Sequence, residues 1–209
     1  MPNKSAQATK QLNDRMVCSS CSSPDHNKAT CPVLQKAPEP VPIQLHDSIL
    51  KKFRALGKAC VRVADGLGKG HAEKTYQEAM SQVLQDLHIR HTMEVALPIL
   101  FEGRDLGGNH TTRIDIQVDA AYLDFIYELK ATPSAIKQEE LWQLIRYLKK
   151  TAYGYGAVVN FNTSVLGELE IKFVIGIDDE YYIYDYPSGH GTLIPDAKLV
   201  SSYNFGDDE

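Results

Sequence analysis

The chain predicts an α/β domain, a mixed central sheet flanked by helices, preceded by a small metal-tied arm. Three observations point there. Segments of helical and strand periodicity follow one another as helix, strand, strand, strand, helix, strand through the central part of the chain. Three cysteines and a histidine crowd into residues 18–31, and prolines at 32, 38, 40 and 42 separate that cluster from the rest. With 209 residues, 43% of them hydrophobic, the chain can bury one sizeable core plus an appendage. The division expected is an arm over 1–35, a proline-rich linker over 36–46, a globular domain over 47–203 and an acidic tail over 204–209.

The arm carries Cys18-x2-Cys21-x4-His26-x4-Cys31. This is the spacing of a CCHC zinc knuckle, in which three thiolates and an imidazole satisfy tetrahedral Zn²⁺ and tie together a segment too short to form a core. With all four ligands supplied by protein, the zinc is structural. Zinc knuckles often stack unpaired bases on aromatic rings, but here Ser19, Ser20, Ser22 and Ser23 occupy the intervening positions and no aromatic residue lies among them. A protein partner and weak nucleic-acid guidance both remain open for this module. In the linker, proline cannot continue a helix or donate in a ladder, so 36–46 reads as a semi-extended tether.

Ile49, Phe53, Leu56, Cys60 and Val63 recur at helical spacing and make Cys60 a core residue. Glycines at 66, 68 and 70 then permit a sharp turn into a second helix, whose apolar stripe is Ala72, Tyr76, Ala79, Met80, Val83, Leu84 and Leu87. Gln77, Glu78, Gln82 and Asp86 fall on its other faces. Glu73, in the first turn, can reach a cleft beside the helix; it also complements the helix dipole without any further role.

Two strands follow. In Arg113–Val118 strict alternation puts Ile114, Ile116 and Val118 on one face and Asp115 on the other. In Phe125–Lys130 it puts Glu128 and Lys130 together, opposite Phe125, Tyr127 and Leu129. A hairpin of these runs brings Asp115 close to Glu128. Two crowded carboxylates repel unless a cation offsets them; Lys130 or a hard divalent ion, Mg²⁺ or Mn²⁺, would do so. Taken alone, an acid followed by Glu-x-Lys also describes a solvated charged face.

After Pro133, Ile136, Leu141, Leu144, Ile145 and Leu148 form the apolar stripe of a third helix. Gln143 and Tyr147 are four apart and share a face, able to project together toward a substrate or a metal, although Tyr147 also fits a core-edge aromatic. Arg146, Lys149 and Lys150 complement the helix C-terminus and could equally meet phosphate. A strand follows over 154–161. Residues 170–186 read as a terminal hairpin, whose four tyrosines, 181, 182, 184 and 186, pack on the sheet or offer a stacking platform.

Gly70, Glu73 and Tyr76 resemble the signature of the GxxExxY family, a branch of the PD-(D/E)XK nuclease superfamily. Arg113-Ile-Asp115, Glu128-Leu-Lys130, Gln143-Leu-Ile-Arg-Tyr147 and the strand through Asn160 and Phe161 resemble its further motifs, so the resemblance covers roughly residues 47–163. It implies a restriction-endonuclease-like core and hydrolysis of phosphodiester bonds in DNA or RNA. Asp115 and Glu128 would be ligands for Mg²⁺ or Mn²⁺, Glu73 and Lys130 catalytic, and Gln143, Tyr147 and Tyr76 accessory. A protein that keeps this fold only to bind nucleic acid, or to act as an adaptor through the knuckle, is the alternative.

Residues 1–40 carry a net charge of +2 and the remainder −7, within a total of −5. That balance argues against strong nonspecific affinity for duplex DNA. No membrane span or apolar leader is legible, and an intracellular location is expected.

Overall fold

A computed structural model of the chain describes residues 40–107, 111–162, 169–186 and 193–199. The zinc-ligand cluster at 18–31 and the acidic tail lie outside the described residues. The chain divides into two units, Met1–Pro38 and Glu39–Glu209, and the described residues all belong to the second.

Among the described residues a mixed sheet of eight strands is sandwiched between helices. In chain order the elements are β1 (Pro40–Gln44), α1 (Asp47–Leu67), α2 (Glu73–Asp86), β2 (His91–Pro98), the short pair β3 (Leu100–Phe101) and β4 (Arg104–Asp105), β5 (Thr111–Val118) and β6 (Phe125–Lys130). There follow α3 (Gln138–Thr151), β7 (Tyr155–Asn160), β8 (Glu170–Ile177), β9 (Glu180–Asp185) and β10 (Leu193–Leu199). The sheet order is β1-β10-β9-β8-β7-β6-β5-β2, and β3 and β4 form a separate two-stranded ribbon. Within the sheet, β6 and β7 are parallel, joined through α3, and the other pairs are antiparallel.

Alternation along β6, β7 and β8 distributes their side chains between two cores. Phe125, Tyr127, Leu129, Ala157, Val159 and Phe173 meet α1 and α2 on one face. Ile126, Val158 and Val174 meet Leu141, Leu144, Ile145 and Leu148 of α3 on the other. The stripes expected for α1 and α3 are the buried ones, Cys60 included, except that Ile49 is only half-buried and Ile136 precedes α3. Gly156 lets α3 approach β7 closely, since a Cβ there would lie 2.9 Å from both the Ile126 carbonyl oxygen and Leu144 Cδ1.

Four local expectations differ from the structure. Residues 40–44 lie in the sheet and not in a tether. They form an edge strand, and Pro42 sits where the β1–β10 register shifts, a bulge position that needs no proline N–H. The 170–186 hairpin is not terminal, because β10 pairs with β9 and carries the sheet on to β1. Its turn is made by Asp178 and Asp179, both at positive φ, the geometry of a tight two-residue hairpin. Gly66 lies inside α1; Gly68 (φ 67°) and Gly70 (φ 91°) make the turn.

The fourth difference concerns β5. Ile116 and Val118 pack toward α1 and α2, but Ile114 packs toward α3. Neighbouring β2 switches in the same place, Met93 facing one core and Val95 and Leu97 the other. Between them stands Glu94, in a strand but at φ 53°. A local break of this kind re-aims side chains, as bulges beside functional sites commonly do, and here it stands across from Asp115.

Candidate active site

The β5–β6 ladder is short: Ile116 pairs with Tyr127 and Gln117 with Ile126. Beyond that the strands part, and the Asp115 carboxylate fills the gap. Its Oδ2 accepts from the Leu129 backbone N–H at 2.6 Å, and its Oδ1 accepts from Gln77 Nε2 at 2.9 Å. Asp115 is thereby fixed between β6 and α2 at 8% exposure.

Glu128, 1% exposed, lies in the same gap. Lys130 Nζ donates to its Oε1 at 2.5 Å. Oε2 is fully buried and has no hydrogen-bond partner among the described residues. Burial pushes the Asp115 carboxyl up to about 6 against the pull of the Leu129 N–H and Lys130. Burial, reinforced by the charge of Asp115, pushes Glu128 up to about 8 despite Lys130. Burial by itself would lower Lys130, yet Glu128, with Glu73 and Asp115, holds its ammonium above the ordinary value. Glu73, half-buried at the start of α2, is also raised, first by burial; Lys130 opposes this while Glu94 and Glu140 add to it. The gap thus gathers acidic groups, each held toward its protonated form, around the Lys130 ammonium group.

A model of the PD-(D/E)XK nuclease superfamily matches residues 51–173, more than half of the chain. The chain belongs to the PD-(D/E)XK nuclease superfamily. No curated protein and no solved structure matches it.

Superfamily membership implies a divalent metal, and the residues of the gap fit one. Among the described residues no three His, Cys, Asp or Glu side chains are gathered closely enough to hold an ion by themselves, so Glu73 does not complete a cage with Asp115 and Glu128. Mg²⁺ does not require one, since it is usually held by one or two carboxylates while waters and substrate phosphate fill the remaining positions. Asp115 and Glu128 are hard oxygen donors, and the unpartnered Glu128 Oε2 is the atom that a cation would satisfy.

The glycine turn before Glu73 is stapled by Asn162. Its Oδ1 accepts from Gly70 N at 2.9 Å and lies 2.7 Å from the Tyr76 hydroxyl. Its Nδ2 reaches the carbonyls of His71 and of Ala131, both at 3.2 Å. Ala131 follows Lys130 directly, so one amide joins the chain before Glu73 to the chain after Lys130. Tyr76 is fully buried and stacks on Phe161 at 4.5 Å, 3° from parallel. Asn160, also fully buried, holds the loop after β6 through Thr132 and Ser134.

Gln143 and Tyr147 do share a face, but the tyrosine turns inward. At 2% exposure its hydroxyl lies 2.6 Å from Thr112 Oγ1 and accepts from Gln143 Nε2 at 2.8 Å. Tyr147 thus ties α3 to β5 and orients Gln143, and does not itself enter the gap. Gln77, expected on an outer face of α2, is 6% exposed and bonded to Asp115. It lies four residues after Glu73, a spacing that puts both on one side of the helix. Glu94 and Asn162 had no sequence signal beyond their neighbourhood.

Proposed function

We propose that the chain is a nuclease that hydrolyses phosphodiester bonds of DNA or RNA with Mg²⁺ or Mn²⁺. The observation that supports this best is the buried Asp115–Glu128 pair in the β5–β6 gap, with one carboxylate oxygen unpartnered and Lys130 against another. Asp115 and Glu128 would hold the ion. Bound there, it supplies Lewis-acid polarisation of a phosphoryl oxygen and lowers the pKa of water. Attack by water oxygen on phosphorus forms one P–O bond as the ester P–O bond breaks; the water releases a proton to solvent and the leaving oxygen takes one up, so that a phosphomonoester and an alcohol result.

Lys130 is held protonated by its acidic neighbours, which suits it to stabilise charge on the phosphorane and not to abstract a proton. A well-placed donor in that role is worth about 3 kcal/mol. Glu73 orients water at the mouth of the gap, Gln143 contacts the substrate backbone, and Tyr147 and Tyr76 position the elements around them. A protein that only binds nucleic acid has no use for a buried carboxylate oxygen without a partner, which favours the enzyme over the adaptor.

The finer likeness to the GxxExxY branch rests on Gly70, Glu73 and Tyr76. Cys18, Cys21, His26 and Cys31 would hold a structural Zn²⁺, the donor set being three thiolates and an imidazole. The test of activity uses the zinc-loaded full chain. With Mg²⁺ or Mn²⁺ it should nick DNA or RNA, and Asp115→Asn and Lys130→Ala should each lower the rate by about a hundredfold or more. Variants that cut as fast as the wild type would discredit the assignment.

A further inference from the structure

Where β5 parts from β6, β2 and β5 run on together as a two-stranded arm as far as the Pro98–Thr111 pair. Thr111 lies about 13 Å from Asp115 at the rise of a strand. At this end of the arm stands the β3–β4 ribbon, closed by Glu102 (φ 49°) and Gly103 (φ 71°) and continued by the Leu106 N–H on the Ile99 carbonyl at 3.0 Å. Lys150 Nζ donates to the Pro98 carbonyl at 3.2 Å and anchors the base of the ribbon to the last turn of α3.

This ribbon is apolar where it is most exposed. Phe101 is 59% exposed and Leu100 50%, with Ile99 and Leu106 exposed beside them. A two-stranded ribbon with no core of its own has little to stabilise it; alternation puts Leu100 and Phe101 on opposite faces of it, so apolar side chains held in water on both faces mark a contact element. Its cations are Arg104 on the ribbon itself, Arg113 on the arm, and Arg146 and Lys150 on one side of α3. Glu102 and Asp105 outweigh Arg104 and leave the ribbon itself net negative, so any attraction of nucleic acid by charge comes from the cations of the arm and of α3. Its side chains suit a different contact, since Phe, Leu and Ile are the residues that proteins insert between base steps or stack on unpaired bases.

We infer that the β3–β4 ribbon is a base-contacting wedge, with Phe101 against a base of the nucleic acid whose scissile phosphate lies in the β5–β6 gap. Arg146 and Lys150 meet the intervening backbone. The inference rests on the nuclease reading. It also carries a distinguishing consequence, because stacking is insensitive to salt whereas phosphate contacts release counterions.

The experiment uses the full chain carrying Asp115→Asn, so that substrate stays intact, and duplex oligonucleotides with 2-aminopurine at successive positions. Binding should change the fluorescence at one or two adjacent positions. Adding Phe101→Ala should abolish that change and weaken binding about tenfold, by the same factor at about 50 and 200 mM salt. Phe101→Trp should retain both signals. The double variant Arg146→Ala, Lys150→Ala should instead flatten the salt dependence. Unchanged affinity and fluorescence with Phe101→Ala would overturn the inference. So would a switch from oligomer to monomer in sedimentation, which would make the ribbon an interface between copies. Cleavage by the wild-type chain is the control: if it cuts but ignores Phe101, the wedge alone falls, and if it cuts nothing with any metal, the nuclease reading falls.

Discussion

A carboxylate that is buried without enough partners destabilises the protein as soon as it loses its proton. Asp115 and Glu128 are both in this position. Their ordinary values are 3.8 and 4.5, and in the folded protein they rise to about 6 and about 8. Between those limits the folded state keeps protons that the unfolded chain has released, so stability falls as pH rises from about 4 to about 8. Urea unfolding of the metal-free protein should therefore give a higher midpoint at pH 5 than at pH 8; a midpoint that climbs across this range would contradict the geometry. Glu128→Gln removes the charge and should raise the midpoint at pH 8 while leaving it nearly unchanged at pH 4. At this scale the sequence made the acidic pair and Lys130 legible, because strand alternation puts Glu128 and Lys130 on one face. Gln77 was not legible. A glutamine four residues after Glu73 looks like a solvated helix position until Asp115, 38 residues further on, is brought against it.

The elements were legible where one periodicity ruled. The stripes of α1 and α3 and the strands β6 to β8 follow from apolar spacing, and the structure buries them as that spacing requires. Legibility failed where periodicity breaks, at Ile114 and Glu94, and where tertiary pairing overrides composition, as at Pro42 on an edge strand. The contact of α3 with β7 makes a firm demand on one position. Gly156→Ala would press a methyl group onto the Ile126 carbonyl and Leu144, and should cost about 1 to 3 kcal/mol in urea unfolding; an unchanged midpoint would mean that α3 lies further from the sheet. Asn162 acts between elements. Asn162→Ala removes its bonds to Gly70, His71 and Ala131 and should cost about 1 to 3 kcal/mol. It should lower turnover more than stability alone explains, measured well below the melting temperature, because the start of α2 is then no longer tied to the segment after Lys130. A variant with wild-type turnover would make Asn162 a loop staple only.

For the whole molecule the balance of charge sets how it meets a polyanion. The net −7 beyond residue 40 leaves attraction to local groups, so overall affinity for duplex should be modest and should fall with salt according to a few phosphate contacts only. Among the described residues no helix is long and apolar enough to cross a membrane. The fold brings two helices and a splayed pair of strands to one buried, acid-rich gap, and the activity proposed for the chain depends on that gap accepting a hard cation. Mn²⁺ binding to the zinc-loaded full chain, followed by electron paramagnetic resonance at pH 8, reads this directly. The wild type should take up manganese at a site that is lost in both Asp115→Asn and Glu128→Gln, each first shown to be folded by circular dichroism. Equal uptake by all three proteins would mean that the ion is held elsewhere, and that the paired carboxylates are not a metal site.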